Sequence, residues 1–114
     1  MDAFNIMVDK AKEMCGGVSD AELARRINVT PQTLSQWRKK TCPVPDSRIV
    51  QIAHIAKITP ELILVVMQAE QAKTSKTRQH WLNVYSVLER YLDSTARIMM
   101  DAFAAESRYR SKTL

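Results

Sequence analysis

One stretch, residues 19–40, constrains the fold more than any other part of the chain, because it contains the start and stop signals of two short helices in succession. Ser19 is a suitable N-cap, and Glu22 follows three residues later in the pattern of a capping box. Asn28 ends the first helix, since Asn readily adopts the left-handed conformation at a helix C-terminus. Thr30 then caps a second helix, with proline at its first position. The stretch predicts two short helices joined by a tight turn.

The apolar residues of this stretch recur at helical spacing and define one side of each predicted helix. Leu23, Ala24 and Ile27 form the apolar side of the first helix, and Leu34 and Trp37 anchor the second. Because Trp37 is spaced with Leu34, we interpret it as a core residue and not as a stacking residue. The polar residues of the second helix are left facing outward: Gln32, Thr33, Ser35, Gln36 and Lys39.

Composition and charge limit the fold class and the partner. The chain has 114 residues, of which 46% are apolar, and it contains only two glycines and four prolines. These values, with few alternating β-branched runs, predict an all-α protein with a real core. The net charge of +5 favours a polyanionic partner. Residues 19–40 hold five basic and two acidic side chains, so the first part of the chain has a local basic site.

Three further helices are predicted in the first 72 residues: one over 3–15, a fourth from 46 to about 57, and a fifth from 60 to about 72. Asp46 and Ser47 are expected to cap the fourth helix, and Thr59 the fifth. The fifth helix is apolar on most sides, so it must be covered widely by other helices. Residues 1–72 are therefore predicted to be one domain.

The C-terminal part of the chain is predicted to be one long amphipathic helix over 77–107, followed by a basic flexible tail at 108–114. This helix is longer than the expected diameter of the first five helices. Part of its apolar face should therefore contact a second copy or another protein. The predicted dimerisation residues are Trp81, Val84, Leu88, Tyr91, Leu92, Ile98 and Met99. The alternative is that the helix folds back on the fifth helix within one chain, and both arrangements are compatible.

Residues 19–40 resemble the helix-turn-helix of the Cro and repressor (XRE-type) family of phage and bacterial transcriptional regulators. The matching residues are Ala24, Thr30, Leu34 and the segment 35–38. Asn28 stands where the family usually has Gly. The resemblance is clearest over about residues 3–65. It implies a five-helix repressor-like domain that binds double-stranded DNA through a recognition helix in the major groove. It also implies a homodimer on a two-fold operator, acting as a phage- or prophage-type repressor in the bacterial cytoplasm.

The resemblance also assigns roles to individual positions. Gln32, Thr33 and Gln36 correspond to the base-reading positions of the family. Their chemistry agrees, because Gln pairs bidentately with adenine and Thr contacts a thymine methyl or a phosphate. The residues expected to contact phosphate are Arg25, Arg26, Thr30, Arg38, Lys39 and Lys40. The alternative interpretation of these side chains is an ordinary solvated polar surface.

Enzymatic and metal-dependent functions are not expected. His54 and His80 have no acidic or Cys partner at a telling spacing, and Cys15 and Cys42 are isolated. No nucleophile–base pair, metal-ligand cluster or Gly-rich phosphate loop stands out, so we predict no catalysis and no cofactor. The longest uninterrupted apolar run, residues 62–67, is too short to cross a membrane, and the first residues do not form a signal peptide pattern.

Two other functional classes remain open. The first is an interaction protein, such as an antitoxin or anti-repressor, whose C-terminal helix binds a protein partner. The second is binding of single-stranded nucleic acid or RNA by the basic C-terminal region. The aromatic residues there lie along an amphipathic helix and do not form a stacking platform, which disfavours this second class.

Overall fold

The computed structural model describes residues 2–90, and within these residues all regular secondary structure is α-helical. The helices are α1 (Ala3–Met14), α2 (Asp20–Arg26), α3 (Pro31–Arg38), α4 (Asp46–Ala56), α5 (Pro60–Gln71) and α6 (Ser75–Glu89). The predicted all-α class is confirmed. The remainder of the predicted long helix beyond Arg90, and the tail at 108–114, lie outside the described residues.

The core is one cluster of apolar side chains to which all six described helices contribute. α1 packs against α4 and α5, α2 packs against α3, and α5 packs against both α4 and α6. Among residues 2–90, no polar or charged residue is buried, apart from the tyrosine that α6 contributes. Each large apolar side chain that is fully buried stabilises the fold by about 1.5–3 kcal/mol. The largest of these side chains are Phe4, Met7, Leu23, Ile27, Leu34, Ile52, Leu62 and Ile63.

At the start of α2, one of the two hydrogen bonds of the predicted capping box is present. Ser19 is the N-cap, and its hydroxyl accepts a hydrogen bond of 3.1 Å from the backbone N–H of Glu22. The carboxylate of Glu22 does not turn back to Ser19, as a capping box would require. It accepts hydrogen bonds from Arg25 and Arg26 instead, because charge-assisted bonds to guanidinium groups are stronger than a bond to a neutral amide.

The predicted cap of α4 is wrong, whereas the predicted cap of α5 is at the right residue. Asp46 and Ser47 do not cap α4, because the helix already begins at Asp46 and the N-cap is Pro45. The Pro45 carbonyl accepts from the N–H groups of Arg48 and Ile49, at 2.9 and 3.1 Å. The Asp46 carboxylate lies in the first turn, where it favours the helix through its dipole. Thr59 is the N-cap of α5 as predicted, but its side chain makes no capping hydrogen bond.

α6 begins two residues earlier than predicted and packs on α5. Thr74 is its N-cap, and the Thr74 hydroxyl accepts from the backbone N–H of Thr77 at 3.1 Å. Tyr85 is the residue of α6 that enters the core, where it is 4% exposed. The alternative that the sequence left open, packing on the fifth helix within one chain, is therefore present for residues 75–89.

Candidate nucleic-acid interface

The two helices α2 and α3 form a helix-turn-helix whose turn is fixed by the backbone. Asn28 has a φ of 61°, so it adopts the left-handed conformation that the sequence predicts. The N–H of Asn28 donates to the carbonyl of Arg25 at 3.1 Å, and the N–H of Val29 donates to the carbonyl of Ala24 at 2.9 Å. Ala24 is fully buried, as is Leu34 on α3. A small residue at position 24 lets the two helices approach closely.

The first turn of α3 is organised by two threonines. Thr30 is the N-cap of the helix, and its hydroxyl accepts from the backbone N–H of Thr33 at 3.1 Å. The two hydroxyl groups also share a hydrogen bond of 2.8 Å. The predicted phosphate contact Thr30 and the predicted base contact Thr33 therefore lie side by side, at the end of the helix where base contacts usually occur.

The two glutamines occupy successive turns of α3. Leu34 and Trp37 are buried, while Gln32 is exposed and Gln36 is half-buried. The Gln36 side-chain oxygen lies 3.7 Å from the Cys42 sulfur, at the distance of a weak S–H hydrogen bond. The arrangement leaves polar side chains along the side of α3 that does not enter the core, as a base-reading helix requires.

The predicted phosphate contacts on α2 are exposed but paired with an acidic residue. Arg25 and Arg26 both donate to Glu22, with Nε–oxygen distances of 2.9 and 3.1 Å. These hydrogen bonds lower the pKa of Glu22 from its usual 4.5 to about 2. The bond from Arg25 has the largest effect on this pKa, and the bond from Arg26 has the next largest. In turn, the hydrogen bonds to Glu22 raise the pKa of both arginines. The α2 surface thus carries a local cluster of two positive charges and one negative charge.

The basic residues at the end of α3 differ in their surroundings. The Arg38 guanidinium makes ion pairs of 2.8 Å to Asp9 on α1 and of 3.1 Å to Asp20 on α2. Lys40 makes an ion pair of 3.1 Å to Asp2, although its side chain remains 58% exposed. Lys39 is exposed and takes part in none of the ion pairs formed within residues 2–90.

The predicted dimerisation residues divide into described and undescribed groups. Trp81 and Leu88 are partly buried against the core, whereas Val84 is 44% exposed. Val87, which was not among the predicted residues, is 57% exposed. A helix spacing of three from Val84 could have identified it. The other predicted residues lie outside the described part of the chain: Tyr91, Leu92, Ile98 and Met99.

One further residue supports the turn and was not found from the sequence. Arg48, in the first turn of α4, donates to the carbonyl of Ile27 at 2.6 Å and to the side-chain oxygen of Gln51 at 2.9 Å. The guanidinium thereby satisfies a carbonyl at the C-terminal end of α2. Since Ile27 and Arg48 are 21 positions apart, no local pattern could have predicted the bond.

Residues 2–90 contain neither a metal-ligand cluster nor a membrane-spanning helix. No cluster of three or more His, Cys, Asp or Glu side chains in this part of the chain has the geometry of a metal site. Within the same residues, no helix is both long enough and apolar enough to span a membrane.

Comparison with known proteins gives a family match over the region that contains the helix-turn-helix. Residues 8–61 match the model of a family described as bacterial toxin YdaS. The match includes all of α2, α3 and α4 and spans just under half of the 114 residues. Comparison with curated proteins and with solved structures gives no match. Over its helix-turn-helix region the chain is therefore similar to a small, phage-associated bacterial family, and membership of the Cro and repressor family stays a prediction.

Proposed function

We propose that this protein binds double-stranded DNA in a sequence-specific manner and regulates transcription, as a phage- or prophage-type repressor. The observation that carries the proposal is the helix-turn-helix itself. α3 packs against α2 and buries Leu34 and Trp37 in the core, while Gln32, Thr33 and Gln36 lie outside it. In this proposal α3 enters the major groove, and the two glutamines read adenine edges through bidentate hydrogen bonds.

Basic residues on both helices hold the protein against the DNA backbone. Arg25 and Arg26 exchange the carboxylate of Glu22 for phosphate oxygens, since all three side chains lie at the surface. Thr30, Lys39 and Lys40 complete the predicted contacts at the two ends of α3. Such contacts set affinity and orientation and make the binding depend on salt concentration.

A second copy of the chain completes the site. One helix offers three or four base contacts at about 1–3 kcal/mol for each good bidentate pair, so specific binding needs two half-sites. We assign the contact between copies to α6 together with the apolar residues predicted for it further along the sequence, namely Tyr91, Leu92, Ile98 and Met99. Val84 and Val87 supply exposed apolar surface for this contact, at 44% and 57% exposure.

The test is selection of binding sites from a random duplex library by the full chain, followed by sequencing. The account predicts enrichment of a two-fold motif whose half-sites lie about one helical turn apart. The Q32A/Q36A double variant is the matched control, because both side chains lie outside the core. It should remain folded and enrich no motif. A wild-type protein that enriches no motif would contradict the proposed function.

A second candidate function is a protein interaction with a toxic outcome. It is favoured by the description of the matching family as a bacterial toxin and by the exposed valines of α6. Under this candidate the chain stops growth, or controls a toxin, by binding a protein through α6. Induced expression of the wild type, Q32A/Q36A and V84D/V87D variants in bacteria separates the two. Growth arrest that Q32A/Q36A retains and V84D/V87D loses would favour the protein interaction.

A further inference from the structure

The end of the recognition helix is tied to two other helices by a network of ion pairs. The Arg38 Nη2 atom lies 2.8 Å from Asp9 on α1, and its Nη1 atom lies 3.1 Å from Asp20 on α2. Asp20 in turn pairs with Lys12 of α1 at 2.7 Å. The Arg38 carbonyl accepts from the side-chain amide of Asn5 at 3.0 Å, which adds a second link between α3 and α1.

Arg38 differs in this respect from the arginines of α2. Its side chain is only 21% exposed, whereas that of Arg25 is 74% exposed. Arg25 pairs within its own helix, with a residue three positions earlier. The partners of Arg38 are 29 and 18 positions away and belong to different helices. To bind a phosphate, Arg38 would have to leave two carboxylates that are already placed for charge-assisted hydrogen bonds.

The position of this network matters because α3 is short. The helix has eight residues, and its two buried side chains, Leu34 and Trp37, lie on one face. Two buried side chains on one face restrain the tilt of the helix less than contacts on several sides would. The Arg38 network supplies a third fixed point at the C-terminal end. The tilt determines where Gln32 and Gln36 lie, and bidentate hydrogen bonds tolerate little displacement.

We propose that Arg38 is a positioning residue that sets the orientation of α3 through Asp9 and Asp20, and that it does not contact phosphate. The inference rests on the proposed DNA-binding function and refines its site. Arg25, Arg26, Lys39 and Lys40 then carry the phosphate contacts, while Arg38 acts through the glutamines.

The first test compares R38Q with R25Q by measuring affinity for a selected duplex over a range of salt concentrations. Removing a phosphate contact lowers the salt slope by about 0.9. We expect that loss for R25Q. For R38Q we expect an unchanged slope and about tenfold weaker specific binding, comparable with the loss of one base contact. A slope that falls as much in R38Q as in R25Q would overturn the inference.

The second test uses the opposite signs that the two roles predict for D9N. If Arg38 positions α3, removing its partner weakens specific binding even though a negative charge is lost. If Arg38 binds phosphate, the same change frees it and strengthens binding. E13Q is the matched control, since Glu13 lies one turn further along α1 and pairs with no basic residue in the described part of the chain. Binding that D9N strengthens more than E13Q does would contradict the positioning role.

A measurement without DNA separates failure of this inference from failure of the proposed function. Amide hydrogen exchange in the free full-length protein reports the stability of α3 directly. R38Q and D9N should accelerate exchange in α3, whereas R25Q and E13Q should not. Equal exchange in all four variants would overturn the positioning role whatever the DNA result. Suppose instead that exchange in α3 is faster in R38Q and D9N only, while the wild type selects no DNA motif. That result would contradict the proposed function and leave the positioning role intact.

Discussion

The α2–α3 pair and the α5–α6 pair present opposite kinds of surface. In the first pair the large apolar side chains of the helices are buried, and the outer side of α3 carries Gln32, Thr33 and Gln36. In the second pair α6 buries Tyr85 against the core but leaves Val84 and Val87 exposed. A polar outer side suits the hydrated edges of base pairs, and an apolar one suits another protein surface. Under the proposed function the two pairs therefore have different partners, with α3 contacting DNA and α6 contacting a second copy of the chain.

The largest expected effect comes from the packing between α2 and α3. Leu34 is fully buried, so L34A should lower the free energy of unfolding by about 2–5 kcal/mol. V87A, on the exposed side of α6, should change it by less than about 0.5 kcal/mol at low protein concentration. Urea denaturation followed by circular dichroism measures both values. Similar losses in the two variants would show that α3 is not anchored as described.

The next effect concerns association of the chain. A charge at Val87 cannot be buried against a second copy without a partner, so V87D should dissociate the proposed dimer. Sedimentation at micromolar concentration should give half the mass of the wild type. Q32A/Q36A, on the other helix pair, should keep the wild-type mass. If V87D sediments like the wild type, α6 does not join the copies through this side.

A smaller effect is expected at a single base pair. Q36A should reduce discrimination at one position of the selected motif by about 1–3 kcal/mol while the fold stays intact. V87A should leave that discrimination unchanged. Competition binding with every base substitution in the motif measures the difference. Uniform weakening over all positions would mean that Gln36 supports affinity and does not read a base.

The local and the distant contacts of this site differ in how far the sequence predicts them. The turn at Asn28, the cap at Thr30 and the burial of Trp37 follow from residues within a few positions, and the structure confirms all three. The carboxylates that pair with Arg38, and the Ile27 carbonyl that accepts from Arg48, lie 18 or more positions away, where no periodic pattern applies. The sequence could therefore locate α3 and the turn before it, but not the ion pairs that connect the end of α3 to α1 and α2.

The smallest expected effect is the pH dependence of the Glu22 cluster. Hydrogen bonds from Arg25 and Arg26 lower the pKa of Glu22 from 4.5 to about 2. The pairs therefore stabilise the fold above pH 4.5, and this contribution is lost as the pH falls towards 2. Wild type should melt slightly above E22Q at pH 6, and the difference should disappear near pH 2. E61Q, at the start of α5, breaks no arginine pair and serves as the control.

Sequence-specific reading of DNA by α3 can be tested in a single competition experiment. Fluorescence anisotropy would follow the full chain on a labelled duplex carrying the selected motif, at about 0.15 M salt. The competitors would be the same motif and a scrambled duplex of identical composition. We expect the scrambled duplex to compete at least about a thousandfold more weakly. Equal competition by both duplexes would contradict sequence-specific recognition by this helix.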